Sequence, residues 1–530
     1  MCVGGFRGQI PAILTFRGPS RIVGPDMSHH SEKTLLPQGP TALSAFAETA
    51  KQGLDEIFGF SSFRPGQARV VEHLVDGRDA LVVMPTGSGK SLCYQLAGAL
   101  TQGVTLVVSP LIALMNDQVD GLRSTGLPAT AIHSAMSRAE QRRRIEAMYL
   151  GDYKVVYVAP ERFQSQIFCE ALEDIEIGLL AVDEAHCISQ WGHDFRPAYR
   201  RLAAARRRFE NPQTVALTAT ATERVRRDIS EQLGIGADDE LMGGLERPNL
   251  FFDVCFAGSR KTKLREIRDL VERTGDESVI VYVATRKQVN QVTKNLADAS
   301  IEAVGYHGGM AAKQRRQTHR RWMNGQTPVL VATNAFGMGV DKPDVRAVIH
   351  YNIPGSIEAY YQEAGRAGRD GKPAHCLLLF NRSDLRIHHW FAENAFPLRM
   401  QVISIWLHLC SLGPGPHEYT PKGLARAARG PGQKLPPRIA RVCLRHLARA
   451  GHLRYGGGKV EVLNEVGPLE LNIDFSRFGD RRLIAKEQLG RIIDYANSPR
   501  CYQAVLLNHF DCPPDFGDRC GHCSNCEANQ

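Results

Sequence analysis

The sequence has no apolar run long enough to cross a membrane. A membrane helix needs about 18 or more consecutive apolar residues, and the longest candidate, Val104 to Met115, is broken by Ser109 and Pro110. No secretory segment with a cleavage site, no short repeat and no long low-complexity tract is visible. A hydrophobic content of 43% and a charged content of 23% are typical of globular proteins. The sequence therefore predicts a globular chain without a membrane partner.

The cysteines lack the dense spacing of a secreted disulfide framework. Nine of the 13 are scattered singly along the chain, which favours a reducing, cytoplasmic location. The first 25 residues contain several arginines and no acidic residue. We expect residues 1–45 to be a disordered leader, with either Met1 or Met27 as the natural start.

The sequence does contain a long alternation of short β-branched runs and amphipathic stretches. Because 530 residues exceed one hydrophobic core, three or four domains are expected. The alternation from Asp79 to Phe380 predicts α/β architecture, with parallel sheets and crossover helices. The predicted strands are Ala80–Val83, Thr105–Val108, Val155–Val158, Leu179–Val182, Val215–Leu217, Val279–Val283, Ala303–Tyr306, Val329–Ala332, Ala347–His350 and Cys376–Phe380.

A connector rich in Gly and Pro, Gly243–Asn249, separates these strands into two sets. We therefore predict two tandem α/β domains, over residues 46–243 and 244–382. Beyond Arg382 the pattern turns helical and basic, which predicts a third domain over residues 383–470. The cysteine-rich remainder, residues 471–530, is predicted to be a separate module whose last thirty residues are loop-like.

A phosphate-binding loop is predicted directly after the first strand. Met84 to Ser91 reads MPTGSGKS and leads into a helical stretch, so backbone N–H groups of a Gly-rich turn would face phosphate oxygens at a helix N-terminus. The predicted ATP-binding residues of this loop are Met84, Pro85, Thr86, Gly87, Ser88, Gly89, Lys90 and Ser91. Lys90 is predicted to contact the β and γ phosphates, and Ser91 to bind Mg²⁺.

Two adjacent carboxylates follow the strand Leu179–Val182. Asp183 and Glu184 stand at the carboxyl end of this strand, where ligands bind in open α/β sheets. Two carboxylates there suit two tasks, Asp183 for Mg²⁺ and Glu184 for positioning and deprotonating the attacking water. We predict that Lys90, Asp183 and Glu184 form one catalytic site.

These motifs resemble motifs I and II of DExH helicases, and the segment FGFSSFRPGQ, Phe58 to Gln67, resembles the adenine-reading segment of the RecQ family. The resemblance is dense from Asp55 to Arg382 and fits the short bacterial form of that family. It implies two RecA-like domains with ATP between them. It also implies that Phe60 stacks on adenine while Arg64 and Gln67 hydrogen-bond the base.

The segment QEAGRAGRDG, Gln362 to Gly371, resembles motif VI of the same helicases. Arginine is always charged and binds phosphate bidentately. Arg366 and Arg369 are therefore predicted to reach across the cleft to the γ-phosphate, with Arg369 preferred as the arginine finger.

Nucleic acid is predicted to bind beside the carboxylates. The loop CISQWGHDFRPAY, Cys187 to Tyr199, places Trp191 and Phe195 beside Arg196, and aromatic and Arg side chains on a loop stack on unpaired bases. Such rings also commonly pack beneath their own loop. The resemblance implies that this loop couples the DNA site to the ATP site.

Two further segments resemble helicase motifs. Thr218 to Thr220 matches motif III, and Val331 to Lys342 resembles motif V, which contacts phosphates of the nucleic acid. Gly339 and Asp341 are predicted to face the nucleotide.

The region from Pro397 to Glu465 concentrates positive charge, with eleven Lys or Arg residues against three Glu in a chain of net charge +9. Helical stretches and a Gly-rich turn at Gly456–Gly458 predict a winged helix that binds duplex DNA. A solvated basic helical bundle is the alternative. The predicted elements are Gln401–Leu412, Thr420–Ala428, Pro437–Ala450, Leu453–Tyr455 and Val460–Leu463.

Four cysteines are predicted to bind a structural Zn²⁺ ion. Cys520, Cys523 and Cys526 form a CxxCxxC motif, and Cys501 supplies a fourth thiolate for a closed tetrahedral site. The RecQ zinc module has this arrangement. Spacing alone leaves Cys512, His509 and His522 as alternative ligands. The family's usual order puts the zinc module before the winged helix, and we expect this chain to reverse that order and to lack the terminal helical domain.

The resemblance implies an ATP- and Mg²⁺-dependent DNA helicase that moves 3′→5′ on single-stranded DNA and unwinds duplex DNA in recombination and repair. We also expect association with the bacterial nucleoid. An RNA helicase on the same core and a DNA-binding or annealing protein with an inactive motor are the alternatives. Preferred DNA structure, oligomeric state and protein partners are not encoded in any motif.

Overall fold

The computed structural model describes residues 40–337, 341–430 and 435–528. Most of the predicted leader, together with Gly339 and Lys434, lies outside these ranges. Among the described residues, no helix combines the length and the apolar character needed to cross a bilayer.

The first domain is built on a seven-stranded parallel sheet in the order β3-β4-β2-β5-β6-β1-β7. The strands are β1 Ala80–Val83, β2 Val104–Val108, β3 Ala129–Ile132, β4 Val155–Val158, β5 Ile177–Val182, β6 Thr214–Thr218 and β7 Glu240–Met242. Strands β1, β2 and β4 are buried along their whole length, because helices cover both faces of a parallel sheet. The helices are α1 Pro40–Phe58, α2 Gln67–Val75, α3 Lys90–Leu100, α4 Ile112–Ser124, α5 Arg138–Tyr149, α6 Gln166–Glu173, α7 Leu202–Arg208 and α8 Glu223–Leu233.

The second domain repeats this plan with a six-stranded parallel sheet in the order β10-β11-β9-β12-β13-β8. Its strands are β8 Leu250–Phe256, β9 Ser278–Tyr282, β10 Ala303–Tyr306, β11 Val329–Ala332, β12 Val345–His350 and β13 Ala374–Phe380. Its helices are α9 Arg260–Thr274, α10 Arg286–Asp298, α11 Ala312–Met323, α12 Ile357–Ala364 and α13 Leu385–Ala395. Two tandem RecA-like domains, as predicted, are therefore confirmed.

In the described parts of the two parallel-sheet domains, all ten predicted strands are present and three further strands were missed. Strand β3 carries two alanines in its four residues, and β7 is a three-residue edge strand that begins at Glu240. Strand β8 is the edge of its sheet, and only two of its residues, Leu250 and Phe252, are buried. Short or half-exposed strands carry a weaker hydrophobic signal than central ones.

The third region combines three helices with a small antiparallel sheet in the order β14-β16-β15. Its elements are α14 Arg399–Cys410, β14 Pro416–Glu418, α15 Pro421–Ala427, α16 Pro437–Arg449, β15 Leu453–Gly456 and β16 Lys459–Val462. Trp406, Leu444 and Leu447 are fully buried in its core. The order of helices and hairpin is the one predicted for a winged helix.

The carboxy-terminal module contains α17 Ser476–Ala496, α18 Tyr502–His509 and α19 Ser524–Glu527. The prediction of loop-like structure for the last thirty residues is therefore wrong for α18 and α19. Their periodicity is short and interrupted by polar residues, so the sequence signal is weak. Helix α17 packs against α12 and α13 of the second domain, and Tyr495 on α17 lies 5.3 Å from Tyr360 between ring centroids. The predicted boundaries at residues 243, 382 and 470 stay predictions.

Candidate nucleotide and nucleic-acid site

The predicted phosphate loop joins β1 to α3 and contains two residues in the left-handed region. Gly87 has φ 85° and Gly89 has φ 81°, conformations that glycine adopts without a Cβ penalty. Gln67 Nε2 donates hydrogen bonds to the carbonyl oxygens of Ser88, at 3.0 Å, and Gly89, at 3.1 Å. A Cβ added at Gly89 would lie 2.4 Å from that nitrogen. The loop is thus fixed in a tight turn whose helix begins at Lys90.

Lys90 is buried inside this loop. Its Nζ donates to the carbonyl oxygens of Met84 and Pro85, at 3.0 and 3.1 Å. Burial lowers the pKa of Lys90, and the nearby carboxylates of Glu184 and Asp183 oppose that shift. Among the described residues, the buried hydroxyl of Ser88 has no hydrogen-bond partner. A buried ammonium beside an unpartnered hydroxyl fits a polyphosphate ligand.

Asp183 and Glu184 follow β5, which is separated from β1 by one strand of the sheet. Burial and the neighbouring Glu184 carboxylate raise the pKa of Asp183 to about 7. Glu184 has φ 50°, a conformation that is strained for a residue other than glycine. Its Oε2 is buried and, within the described part of the chain, accepts no hydrogen bond. Two adjacent carboxylates that lack full hydrogen-bond compensation fit a divalent cation and a water molecule.

The predicted adenine-reading residues lie beside the loop. Phe60 is 53% exposed, which leaves its ring accessible to a flat ligand. The Nη1 of Arg64 donates to the carbonyl oxygen of Gly87 at 2.7 Å, and the backbone N–H of Arg64 donates to Gln67 Oε1 at 2.8 Å. Arg64 and Gln67 therefore contact the phosphate loop, and their contact with adenine stays a prediction.

Arg369 of the second domain lies against the phosphate loop of the first. A Cβ added at Gly87 would be 3.0 Å from Arg369 Cγ. Burial lowers the pKa of Arg369, as does the nearby charge of Arg366, while Asp341 opposes them. The Nη1 of Arg369 donates to Asp341 Oδ1 at 2.7 Å, so Asp341 contacts the arginine predicted to be the finger.

Arg366 is also buried, at 3% exposure. A Cβ added at Gly337 would lie 3.7 Å from Arg366 Nη2, so this arginine faces the middle of the motif V segment. Among the described residues, the Nε atoms of Arg366 and Arg369 have no hydrogen-bond acceptor. Both predicted arginines therefore enter the cleft between the domains with donor capacity unused.

One residue at this cleft was missed by the sequence analysis. Arg247, in the connector between the domains, donates hydrogen bonds to carbonyl oxygens of both the phosphate loop and the motif VI segment. The sequence showed only an arginine in a Gly- and Pro-containing connector, which is uninformative. Its contacts depend on chain segments more than 100 residues distant along the sequence in each direction.

The aromatic loop after β5 contains the predicted DNA-binding residues, but other side chains cover the rings of Trp191 and Phe195. The guanidinium of Arg224 lies 3.0 Å from the ring centroid of Trp191. Arg481, on α17, lies 4.1 Å from the ring centroid of Phe195. Its Nη1 also donates to the Gln190 carbonyl at 2.8 Å. Both rings are thus covered by cations in this structure.

Arg196, the third predicted DNA-binding residue, is tied to the first domain. Its Nη2 lies 2.9 Å from Asp194 Oδ2, and its Nη1 donates to the Pro110 carbonyl at 2.8 Å. These contacts shape the loop, and the role of Arg196 in DNA binding stays a prediction.

A chain of contacts connects the aromatic loop to the carboxylates. The rings of His193 and His186 are stacked, with centroids 4.3 Å apart. His186 Nδ1 lies 3.0 Å from Thr218 Oγ1, within the predicted motif III, and 3.4 Å from Glu184 Oε2. Burial lowers the pKa of His186, as does the nearby His193, which favours the neutral ring. Among the described residues, only its Nδ1 has polar partners, because Nε2 is buried without a hydrogen bond. The Tyr199 hydroxyl adds a second link by donating to the Asp183 carbonyl at 3.1 Å.

The four predicted zinc ligands form a cluster. The Sγ atoms of Cys501, Cys520, Cys523 and Cys526 all lie within 4.8 Å of one another, as sulfurs arranged about one Zn²⁺ ion must. A hydrogen bond from the Cys523 thiol lowers the pKa of Cys501 to about 4, whereas burial raises the pKa of Cys520 and the Cys501 contact raises that of Cys523.

The alternative ligands are not part of this group among the described residues. His509 is paired with Glu358 of α12 instead, at 3.0 Å. The cysteine set thus fits a closed structural zinc site.

The basic region presents arginines on one face of α16. Arg438, Arg441, Arg445 and Arg449 are exposed, while Leu444 and Leu447 on the opposite face are buried. The guanidinium of Arg438 also lies 5.4 Å from the half-exposed ring of Trp390. A row of cations on one helix face suits a phosphate backbone.

Comparisons with known proteins agree with this geometry. The family described as DEAD/DEAH box helicase matches residues 64–229, the helicase conserved C-terminal domain matches 262–371, and the RecQ zinc-binding family matches 473–527. The basic region lies between the second and third matches. A solved structure of the Mycobacterium smegmatis helicase Lhr, bound to ssDNA and AMP-PNP, shares the fold at a TM-score of 0.51 and 21% identity, covering 84% of this chain and 62% of that one. Fold and site together define a helicase core.

Proteins of similar sequence identify the family of helicases to which this chain is related. The ATP-dependent DNA helicase RecQ of Bacillus subtilis is 42% identical over 65% of this chain and 58% of its own length. The ATP-dependent DNA helicase RecQ of Synechocystis is 33% identical over 90% of this chain and 98% of its own length. The chain thus spans little more than half of the Bacillus protein and nearly all of the cyanobacterial one. It belongs to the RecQ helicase family.

Proposed function

We propose that this protein hydrolyses ATP with Mg²⁺, moves along single-stranded DNA and unwinds duplex DNA. The observation that carries the proposal is the position of Arg369, which reaches from the second domain onto the phosphate loop of the first. A group supplied across a domain interface makes hydrolysis depend on domain closure. Closure and opening around ATP then provide the stroke of a motor.

Each residue of the cleft has a separate role in ATP hydrolysis. The backbone N–H groups from Gly87 to Ser91 and the Lys90 ammonium bind the phosphates, and Ser91 with Asp183 would hold the Mg²⁺ ion, which neutralises phosphate charge. Glu184 orients the attacking water and accepts its proton. Arg369 and Arg366 stabilise the charge that develops on the γ-phosphate. Most of the rate comes from positioning and electrostatic stabilisation, because phosphoryl transfer needs little covalent help from the protein.

DNA reaches this chemistry through the aromatic loop. Bases that stack on Trp191 and Phe195 displace the covering arginines, and the loop moves. The stacked pair His193 and His186 transmits that movement to Glu184. Hydrolysis therefore accelerates when single-stranded DNA is bound.

The exposed arginines of α16 and the hairpin of β15 and β16 bind the duplex ahead of the motor. Non-specific phosphate contacts of this kind weaken steeply as the salt concentration rises. The zinc ion has a structural role, since the four thiolates leave no open coordination position.

An RNA substrate is the main alternative, because the helicase core is shared with RNA helicases. The relatives named above are DNA helicases, which favours DNA. Stimulation of ATP hydrolysis by equal lengths of single-stranded DNA and RNA separates the two. We expect strong stimulation by DNA, and stimulation by RNA alone would overturn the assignment.

Polarity and substrate are tested together by unwinding 3′-tailed, 5′-tailed and forked duplexes. We expect 3′→5′ movement, so the 3′-tailed and forked duplexes should open and the 5′-tailed duplex should not. The annealing alternative predicts strand pairing without ATP and no unwinding of any of the three. A role in recombination and repair, and a cytoplasmic location at the nucleoid, follow from the same proposal.

A further inference from the structure

Arg247 lies in the connector and bridges the two sheet domains through one nitrogen. Its Nη1 donates to the carbonyl oxygen of Thr86 at 3.1 Å and to that of Gly365 at 3.2 Å. Thr86 belongs to the phosphate loop and Gly365 to the motif VI segment. These two segments are themselves close, since a Cβ added at Gly365 would lie 3.5 Å from Thr86 Cβ. The guanidinium therefore joins the two walls of the ATP cleft.

The second nitrogen of the guanidinium contacts the residues just before the arginine finger. Nη2 of Arg247 donates to the carbonyl oxygens of Ala367, at 2.8 Å, and Gly368, at 3.1 Å. The neighbouring Asn249 donates from Nδ2 to the same Gly368 carbonyl at 2.8 Å. Arg369 follows immediately, so the connector fixes the backbone from which the finger extends.

No other side chain could make this set of contacts. A planar guanidinium offers five donors in a rigid fork, whereas lysine is a point charge with rotatable donors. Burial lowers the pKa of Arg247, and four carbonyl acceptors compensate the buried charge. Both terminal nitrogens are occupied by backbone oxygens, which leaves the guanidinium facing peptide groups rather than a ligand.

We propose that Arg247 is a positioning residue for ATP hydrolysis, which sets the distance between the phosphate loop and Arg369. This inference rests on the proposed function, because it assigns Arg247 to the same cleft. A displacement of about 1 Å at a catalytic group costs on the order of 10²-fold in rate. The contribution of Arg247 therefore appears in the hydrolytic step and not in ATP affinity.

The first test compares Arg247→Ala, Arg247→Lys and the exposed control Arg273→Ala in the full chain. We expect Arg247→Ala to lower kcat for DNA-stimulated hydrolysis by about 10²-fold, while the Kd for a fluorescent non-hydrolysable ATP analogue changes less than about 3-fold. Arg247→Lys keeps the charge but not the fork, so its kcat should fall at least about 10-fold. Arg273→Ala should match the wild type in both measurements. A parallel loss of affinity and kcat, or an unchanged kcat, would overturn the proposal.

The second test asks whether Arg247 acts through Arg369. Removing an arginine finger costs about 10³- to 10⁵-fold in kcat. If Arg247 only positions that finger, then Arg247→Ala added to Arg369→Ala should lower kcat by less than about 2-fold further, because groups that act as a unit are not additive. Effects that multiply in the double variant would show an independent role and defeat the proposal.

The outcomes also separate this inference from the proposed function. A wild-type protein that hydrolyses no ATP in the presence of single-stranded DNA would refute the motor, and this inference with it. An active wild type that is impaired by Arg369→Ala but not by Arg247→Ala or Arg247→Lys would leave the motor intact and refute the positioning role. Thermal unfolding of each variant identifies loss of fold, and Arg247→Lys keeps the test decisive if the alanine variant does not fold.

Discussion

The ATP cleft and the aromatic loop start from the same edge of one sheet but are stabilised by different forces. In the cleft, the buried Gln67 and the partly buried Lys90 and Arg247 donate hydrogen bonds to backbone carbonyl oxygens. In the aromatic loop, cations lie on the faces of Trp191 and Phe195. A buried hydrogen bond cannot be removed without leaving a polar group unpaired, whereas a cation on a ring can be exchanged for another partner.

The magnitudes support this contrast. A cation–π contact contributes about 0.5–2 kcal/mol, and a base stacked on an aromatic side chain contributes about 1–3 kcal/mol. Under the proposed function, a DNA base would therefore replace Arg481 on Phe195 at little net cost. The ATP cleft is thus preorganised by hydrogen bonds, whereas the cations on the aromatic loop are exchangeable.

The largest effect is expected in the cleft. Lys90→Ala removes the buried ammonium from the phosphate site and should lower kcat for ATP hydrolysis by more than about 10²-fold, the usual effect of losing one preorganised charge-stabilising donor. DNA affinity should change little, because the Lys90 ammonium is hydrogen-bonded within the phosphate loop, to the carbonyl oxygens of Met84 and Pro85. A phosphate-release assay and DNA binding by fluorescence anisotropy measure the two effects. Lys287→Ala, at an exposed position, is the control. Substantial ATP hydrolysis by Lys90→Ala would show that the phosphate loop is not the site of hydrolysis.

Removal of zinc should impair the function of the aromatic loop more than ATP hydrolysis in the cleft. Cys523→Ser leaves three thiolates, and because binding of a structural zinc ion contributes directly to folding, the module that carries α17 should loosen. We expect loss of bound zinc, a lower Tm and a severe loss of DNA stimulation, with the weak DNA-independent hydrolysis retained. Metal analysis, calorimetry and ATPase assays with and without DNA test this. Cys255→Ser is the matched control outside the cluster, and a fully folded variant without zinc that responds normally to DNA would contradict the expectation.

The aromatic loop itself should respond in opposite directions to two substitutions. Phe195→Ala removes a stacking platform, so the DNA concentration for half-maximal ATPase stimulation should rise roughly 5- to 100-fold. Arg481→Ala uncovers the ring, so that concentration should fall about 2- to 30-fold, the equivalent of one cation–π contact. Arg491→Ala, exposed on the same helix, is the control. If both substitutions weakened stimulation, Arg481 would be a DNA ligand rather than a cover.

The smallest effect concerns the contact between α12 and α18. Burial raises the pKa of Glu358, but the hydrogen bond and charge of His509 outweigh it and bring the pKa down to about 2. A carboxylate with a depressed pKa stabilises the fold above its unfolded pKa, and that contribution disappears as the pH falls from about 4.5 towards 2.

His509→Gln should therefore lower the free energy of unfolding by about 1–3 kcal/mol at neutral pH, and the difference from wild type should shrink below pH 4.5. Urea unfolding at several pH values measures this. A difference that stays constant across this range would show that the ion pair is not its source.

The two regions also differ in how much the sequence could predict. The phosphate loop and Asp183 with Glu184 are contiguous in sequence and follow strong strands, so both their identity and their place at the sheet edge were predictable. Arg247 and Arg481 are single arginines whose partners lie more than 100 residues away. Neither spacing nor composition distinguishes them from surface arginines, since their roles arise only when separate domains meet. The same reason explains why the cover on Phe195 was not foreseen, although the loop was.

Helix α17 contacts each of the larger parts of the molecule in turn. Near its start Phe478 lies 4.6 Å from His446 of the basic region, one turn later Arg481 lies on Phe195, and near its end Tyr495 lies beside Tyr360. From Phe478 to Tyr495 a helix rises about 26 Å, a length comparable to about eight base pairs of duplex DNA. The helix is therefore a rigid strut: it holds the basic region and the aromatic loop close together near its start and the second domain at its far end, with no flexible linker between these contacts.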